Sequence, residues 1–327
     1  MDKDEILQMT PEGIYCPAGD FHVDPVRRVP RALITHGHAD HARRGHKSAL
    51  TSASGREIVQ HRVGNKTPVE GLPFGESRTL GDAKVSFHPA GHILGSAQIR
   101  IEVKGRVAVV TGDYKRGTDP TCEAFEPVPC HLLVTETTFG LPIYRWPDSA
   151  EEAAKIDRWW AANQADGVNS LLLGYSLGKA QRLLALLNRE RGPILLHGAV
   201  VPFQKFYRNA GIDLPHAHHV NAERIRETRG QAMIIAPPSG MNAASNSSWI
   251  KKLSPLRVAM ASGWFLTRKR SARSSYDQGF VISDHVDWPE LLDTVADCQP
   301  DTLWAMHGQT ETVARYFAEK GLKTQAL

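Results

Sequence analysis

Four histidines and an aspartate fall within the last eleven residues of LITHGHADHARRGH, Leu33 to His46. His36 and His38 follow the apolar stretch ALIT two positions apart, so in extended chain their imidazoles point the same way and can bite one metal ion. Asp40 and His41, past the turn, can face a second. A nitrogen and oxygen donor set without thiolate suits zinc and also accepts manganese or iron. Further along, HPAGHILGSAQ adds His92 between Gly91 and Gly95, TGDYK adds Asp113, and MHGQ adds His307. Taken singly each of these is weak, because Gly-Asp is a common turn and a lone histidine after a strand is more often a hydrogen-bonded core residue. Together they share a placement: His36, His92, Asp113, Glu136 and His307 each sit at or just past the end of an apolar stretch, where side chains converge on one edge of a layered sheet.

The elements that must position them are short apolar runs rich in Val, Ile and Leu: 31–35, 106–113, 131–136, 170–174, 193–198, 232–237, 257–263 and 302–308. They read as buried strands. Helical patterns lie between some of them, at 150–163, 178–188, 289–298 and 311–320, so the expected class is α/β. No fixed-period repeat or low-complexity tract interrupts the pattern.

With 327 residues the chain exceeds what one core usually holds, and two domains or one domain with a large insertion are expected. Apolar residues make up 41% and charged residues 23%, and no segment reaches the roughly 18 apolar residues of a membrane helix, so no membrane partner is expected. The opening MDKDEILQMT lacks the succession of a secretory signal, and a cytoplasmic location is expected. Cys16, Cys122, Cys130 and Cys298 form no CxxC pair and read as buried or incidental thiols.

The net charge of +4 is modest, but its placement is uneven. Lys251 to Ser275 holds seven Lys or Arg and no acidic residue, with Trp264 among them, a candidate surface for tracking phosphates and stacking bases. Its candidate contacts are Trp264, Arg268, Lys269, Arg270 and Arg273. A second cluster, Arg27, Arg28, Arg31, Arg43, Arg44 and Lys47, brackets the histidine loop; alone, it reads as a solvated face. Lys179 reads as a solvated lysine at a helix start, His46 as a surface or supporting group, and PHAHHVNAE, with His216, His218 and His219, as a loop.

His36-x-His38-x-Asp40-His41, then AGH at His92, then TGD at Asp113 resembles the metallo-β-lactamase superfamily signature, with Asp24 in HVDP, preferred to Asp20, matching its first acidic motif. Within that superfamily the chain most resembles the β-CASP nucleases: Glu136 in TETTFG looks like their motif A, His285 in SDHVDW like motif B and His307 like motif C. The strings YSLGKAQRLL, SGW and SDHVDW are similar to bacterial ligase-associated DNA exonucleases.

The resemblance implies an αββα sandwich carrying an inserted β-CASP cap: a metallo-β-lactamase domain at 1–140 and 273–327, with the cap at 141–272. It implies two divalent metal ions, zinc or manganese, one held by His36, His38, His92 and Asp113 and the other by Asp40, His41, Asp113 and His307. Asp113 bridges them, and Asp24 orients the loop rather than ligating. Two divalent ions with these carboxylates and a bridging hydroxide leave a net positive site that welcomes a phosphodiester. His285 would be the general acid, kept protonated by Glu136. The implied function is a metal-dependent DNA exonuclease in repair, of 5′ to 3′ polarity, with DNA preferred over RNA and a ligase or helicase pathway as partner. An RNA-processing nuclease is the nearest alternative, and the sequence ends soon after His307, which favours DNA. A lactonase- or thioesterase-type small-molecule hydrolase, or a metal-free scaffold, accounts for fewer of the motifs.

Overall fold

A computed structural model describes residues 5–241, 253–267 and 276–327. Arg268, Lys269, Arg270 and Arg273 lie outside the described residues. The chain divides into two compact units, one of Met1–Arg145 with Asp284–Leu327 and one of Trp146–Ser283. The sequence had placed these changes at 140/141 and 272/273. Residues 141–145 stay with the first unit because Tyr144 packs on Phe139 at 4.9 Å between ring centroids and its carbonyl accepts from Trp288 N at 3.2 Å. The strand Gln278–Phe280 stays with the second because it pairs in parallel with Leu256–Ala261.

The first unit is built on two sheets. One has six strands in sequence order, Gln8–Thr10, Gly13–Cys16, Phe21–Val23, Arg31–Leu33, Ser48–Ser52 and Val69–Leu72. The other has seven strands in the order Lys323–Ala326, Thr302–Gly308, Leu132–Thr137, Arg106–Val110, Ala97–Val103, Ala83–Pro89 and Ser77–Leu80. The period of two sorts the second sheet's side chains. Ala108, Val110, Leu132 and Val134 join Leu33, Leu50, Leu72 and Phe87 in the core between the sheets. Val107, Val109 and Leu133 face the other way, against Leu291 and Val295 of the helix Trp288–Cys298 and Val313 and Phe317 of the helix Thr310–Glu319. Outside the first sheet, Ala32, Ile34 and Val69 pack on Val59 and Val63 of the helix Arg56–Val63. The layers are therefore helix, sheet, sheet, helix. Central parallel strands buried on both faces read as continuous apolar runs, as Leu132–Thr137 does with every residue buried.

The second unit carries one six-stranded sheet, all parallel, ordered His218–His219, Ile194–Leu196, Met233–Ala236, Asn169–Leu173, Leu256–Ala261 and Gln278–Phe280. The segment with His216, His218 and His219, expected to be a loop, thus supplies a short edge strand beside Leu195 and Leu196. Its longest described helix, Ser149–Ala165, starts at Asp148, whose side chain accepts from Ala150 N and Glu151 N at 2.8 and 3.1 Å.

Lys179 is not solvated. It is 4% exposed and its Nζ donates to Ile282 O at 2.8 Å. Arg182, one turn on and also buried, donates to Ser283 O and to Ser149 Oγ, and buried Glu152 accepts from Val281 N at 2.8 Å. Three charged side chains from two helices therefore hold residues 281–283, immediately before Asp284. Lys179→Met keeps the apolar stem but leaves the Ile282 carbonyl without this donor, and should lower the second unit's stability by about 2 kcal/mol in denaturant unfolding.

The four cysteines are free thiols, and no described helix is long and apolar enough to cross a membrane.

Candidate metal centre

The first sheet's strand Arg31–Leu33 delivers the chain through Ile34 and Thr35 into the histidine loop. The second sheet brings Asp113 past the end of Arg106–Val110, Glu136 within Leu132–Thr137, and His307 within Thr302–Gly308. His92 lies between Ala83–Pro89 and Ala97–Val103. The turn before Asp113 needs glycine: Gly112 has φ +57°, and a Cβ there would stand 2.7 Å from Thr35 Oγ1.

His36, His38, His92 and Asp113 place one donor atom each within 4.8 Å of one another. His36 Nε2 and His92 Nε2 lie 3.0 and 3.1 Å from His38 Nδ1, and 3.5 and 3.7 Å from Asp113 Oδ2. His41 Nε2 is 3.5 Å from the same Asp113 oxygen. The rest of the expected second set is more open. Asp40 is exposed, 3.9 Å from His41 Nε2, and His307 is exposed with its ring centroid 6.0 Å from that of His41. His307 holds φ +58°, a conformation rare for a residue with a Cβ, and its carbonyl accepts from Thr137 Oγ1.

The outer nitrogens decide which way each ring presents itself. Asp24 Oδ1 accepts from Thr35 N at 2.8 Å, and Oδ2 accepts from Thr35 Oγ1 at 2.5 Å and from His41 Nδ1 at 2.7 Å. The single Thr35 hydroxyl hydrogen is thereby used, so Thr35 accepts from His36 Nδ1, 3.0 Å away. His92 Nδ1 donates to the Asp284 carbonyl at 2.7 Å. These bonds assign the tautomers: His36 and His92 both turn a bare Nε2 inward. Two such lone pairs converge on His38 Nδ1, which can donate to only one of them. A divalent cation among them relieves that conflict, so this donor set fits a metal ion. Asp20 sits elsewhere, accepting from Tyr15 Oη at 3.0 Å.

Burial, aided by the charge of His41, holds the His36 imidazole well below its ordinary pKa; burial and the charge of His285 push His92 down to about 3. Both stay neutral, as ligands must. Burial opposes charge on His41 too, but Asp113 and Asp24 on either side outweigh it and raise the group well above its usual value. A proton fills that demand when no metal does, so metal binding should release it. Burial alone would raise Asp113, but His41 and His285 hold its carboxyl well below the usual carboxylate range.

His285 Nδ1 lies 2.9 and 2.8 Å from the two Glu136 oxygens. Glu136 is 1% exposed and also accepts from Tyr114 N at 2.8 Å and Thr138 Oγ1 at 2.6 Å, which fixes its carboxylate. Burial would lower His285, but Glu136 and then Asp113 raise it to about 9. The structure thus places an imidazole that Glu136 favours in its charged form next to the cluster of His36, His38, His92 and Asp113, its ring centroid 4.9 Å from that of His92.

Across 317 residues, 96% of this chain, the sequence is 31% identical to a probable DNA ligase of Opitutus terrae. An endoribonuclease YSH1 of Gibberella zeae is 27% identical over 53% of this chain. Such relatives are consistent with the β-CASP branch of the metallo-β-lactamase superfamily that the sequence motifs resemble. No protein-family model matches the chain. The chain spans 30% of the ligase and 20% of the endoribonuclease, less than a third of either. A crystal structure of a protein of unknown function from Enterococcus faecalis V583 shares the fold, with TM-score 0.59 and 13% identity over 91% of this chain and 78% of that one.

Sequence reasoning missed Thr35, Thr138 and the Asp284 carbonyl, which orient His36, Glu136 and His92. Asp284 immediately precedes His285 in SDH, which was the available signal. Trp264 is 40% exposed on the turn Gly263–Leu266 of the second unit.

Proposed function

We propose that this chain is a divalent-metal-dependent β-CASP phosphodiesterase that shortens nucleic acid from an end, with DNA as the substrate and repair as the setting. The observation that carries this reading is the clustering of His36, His38 and His92 with Asp113, beside a His285 held by Glu136. His36, His38, His92 and Asp113 would hold one cation, and Asp40, His41, Asp113 and His307 a second; zinc fits the donors best and manganese is also accommodated. When bound, two such ions supply Lewis acidity and a nucleophile at neutral pH.

The chain's own residues do the rest. Asp24 fixes the rings of His36 and His41 through Thr35 and its own oxygens. His285 gives a proton to the leaving oxygen, and Glu136 keeps that proton on the ring at neutral pH. Trp264, with Arg268, Lys269, Arg270 and Arg273, would contact the strand being degraded. Asp24→Asn retains the shape but weakens acceptance from His41, and should weaken metal binding about 10- to 100-fold by competition with a chromogenic chelator.

A ligase-named relative that matches nearly the whole chain favours DNA and a ligase pathway. The endoribonuclease relative favours RNA as the second reading. Matched end-labelled DNA and RNA strands, incubated with manganese or zinc and with a chelator control, separate them. Metal-dependent stepwise shortening of DNA alone is expected. Shortening of RNA alone, or cuts within strands, would move the reading to RNA processing or endonuclease action; hydrolysis of neither would overturn it.

A further inference from the structure

Beside the histidine loop lies a cavity of about 510 Å³ within the first unit, walled by Arg27, Arg28, Arg43, Arg44 and Arg62 together with Val26, Ala39 and Ala42. No acidic side chain lines it. Arg27 and Arg28 precede the strand Arg31–Leu33, Arg43 and Arg44 follow His41, and Arg62 comes from the last turn of the helix Arg56–Val63. The fold therefore joins Arg62 to four members of the basic cluster that brackets the histidine loop in the sequence.

The partners of these guanidiniums differ from those of several arginines elsewhere in the chain. Arg78, Arg116, Arg189 and Arg191 each meet a carboxylate, on Glu70, Asp297, Asp213 and Asp157. Among the described residues Arg27, Arg28, Arg43 and Arg44 meet none. Arg43 Nε donates to Asp40 O at 3.1 Å, Arg44 Nε to Arg62 O at 3.1 Å, and Arg62 Nε to Gly37 O at 3.0 Å. Backbone carbonyls hold these three forks in place, and the guanidiniums of Arg27, Arg28, Arg43 and Arg44 keep their charge without a carboxylate beside them. Burial, and after it the charge of Arg44, lowers Arg62 from the ordinary guanidinium pKa, against a smaller opposing pull from the Asp40 carboxylate. Gly45, at φ +99°, makes room for Arg28, because a Cβ there would stand 2.7 Å from Arg28 Nε. Clustered guanidiniums with free N–H edges are matched by the oxygens of a phosphate.

We propose that this cavity is a phosphate-binding subsite for the nucleic-acid strand, seated on the outer side of the loop that carries the metal ligands. The inference rests on the nuclease reading and adds to it a second point of hold, distinct from the basic 251–275 segment. Ala39 and Ala42 flank Asp40 and His41, so a phosphate here grips the strand close to the centre where it is cut. Terminal and internal phosphates share the chemistry the cavity recognises.

The test is the double variant Arg27→Gln with Arg28→Gln, whose side chains make no hydrogen bond to the ligand loop. KM and kcat are measured on a DNA strand bearing a 5′-phosphate, on the same strand with a 5′-hydroxyl, and on bis(p-nitrophenyl) phosphate, over a range of salt. A KM for DNA raised about tenfold, with kcat within about twofold, a shallower salt dependence and unchanged small-ester hydrolysis is expected. A defect confined to the phosphorylated strand assigns the cavity to a terminal phosphate; an equal defect on both assigns it to the backbone. Unchanged KM for DNA, or equal loss on DNA and on the small ester, would overturn the subsite. If the unsubstituted protein hydrolyses neither substrate, the nuclease reading fails instead. Fluorescence anisotropy of a labelled strand with chelator present then decides the subsite by itself: about tenfold weaker binding by the variant supports it, and equal binding sinks it.

Discussion

Asp113→Ala should lower metal-dependent hydrolysis of nucleic acid by about 10³-fold or more and leave the protein with less bound metal after dialysis. One oxygen of this carboxylate faces His36 Nε2 and His41 Nε2 at 3.5 Å each and His92 Nε2 at 3.7 Å. In the proposed centre it is the residue common to both ligand sets, so its loss weakens two sites, whereas His38→Ala removes a donor from one. The remaining buried imidazoles then have no negative partner at their centre, which raises the cost of bringing any cation among them. Metal content by mass spectrometry, read beside activity, separates the two consequences. A variant that retains its metal and more than about a tenth of its activity would show that Asp113 does not unite the centre. The conservative Asp113→Asn should behave like the alanine variant, because the neutral amide keeps the shape but not the charge.

What could be read in advance follows from what a residue type reveals by itself. His36 and His38 were legible because two imidazoles two positions apart in extended chain have few other uses, and Asp113 because a carboxylate past an apolar run must reach an edge. The eight apolar runs were legible because strands buried on both faces admit little else, as Arg106–Val110 and Leu132–Thr137 illustrate. Ser77–Leu80 and Gln8–Thr10 were not, because none of their residues is buried and neither is longer than four residues. Lys179 misled because a lysine at a helix start has no sequence mark that distinguishes solvent from the Ile282 carbonyl. His46 misled likewise: it is 3% exposed, with Nδ1 accepting from Val29 N at 3.3 Å. The Asp284 carbonyl on His92 was hard to foresee because a backbone acceptor has no residue type, and only its place before His285 pointed to it. In the arginine cavity Arg62 joins the basic cluster from a separate helix, and proximity of that kind exists only once both sheet and helix have formed.

His285→Ala should slow cleavage of an ordinary phosphodiester about 10²- to 10⁴-fold, and much less when the leaving group is a nitrophenolate. An alkoxide leaving group needs a proton as its bond to phosphorus breaks, while a nitrophenolate leaves readily without one, so the difference isolates proton donation from any effect on the metal ligands. The pH profile gives an independent reading. With its pKa raised to about 9, chiefly by the Glu136 carboxylate that outweighs burial, His285 carries its proton through neutral pH and loses it as pH rises through that value. The alkoxide reaction should therefore fall on the alkaline side, and the nitrophenolate reaction should not fall from this cause. Glu136→Gln preserves an oxygen that can accept from His285 Nδ1 and removes the charge. The alkaline fall should then begin about one pH unit or more lower, with the maximal rate at acidic pH less affected. Equal loss on both leaving groups in His285→Ala, with the pH profile of Glu136→Gln unmoved, would assign the pair to holding the fold of the site rather than to moving a proton.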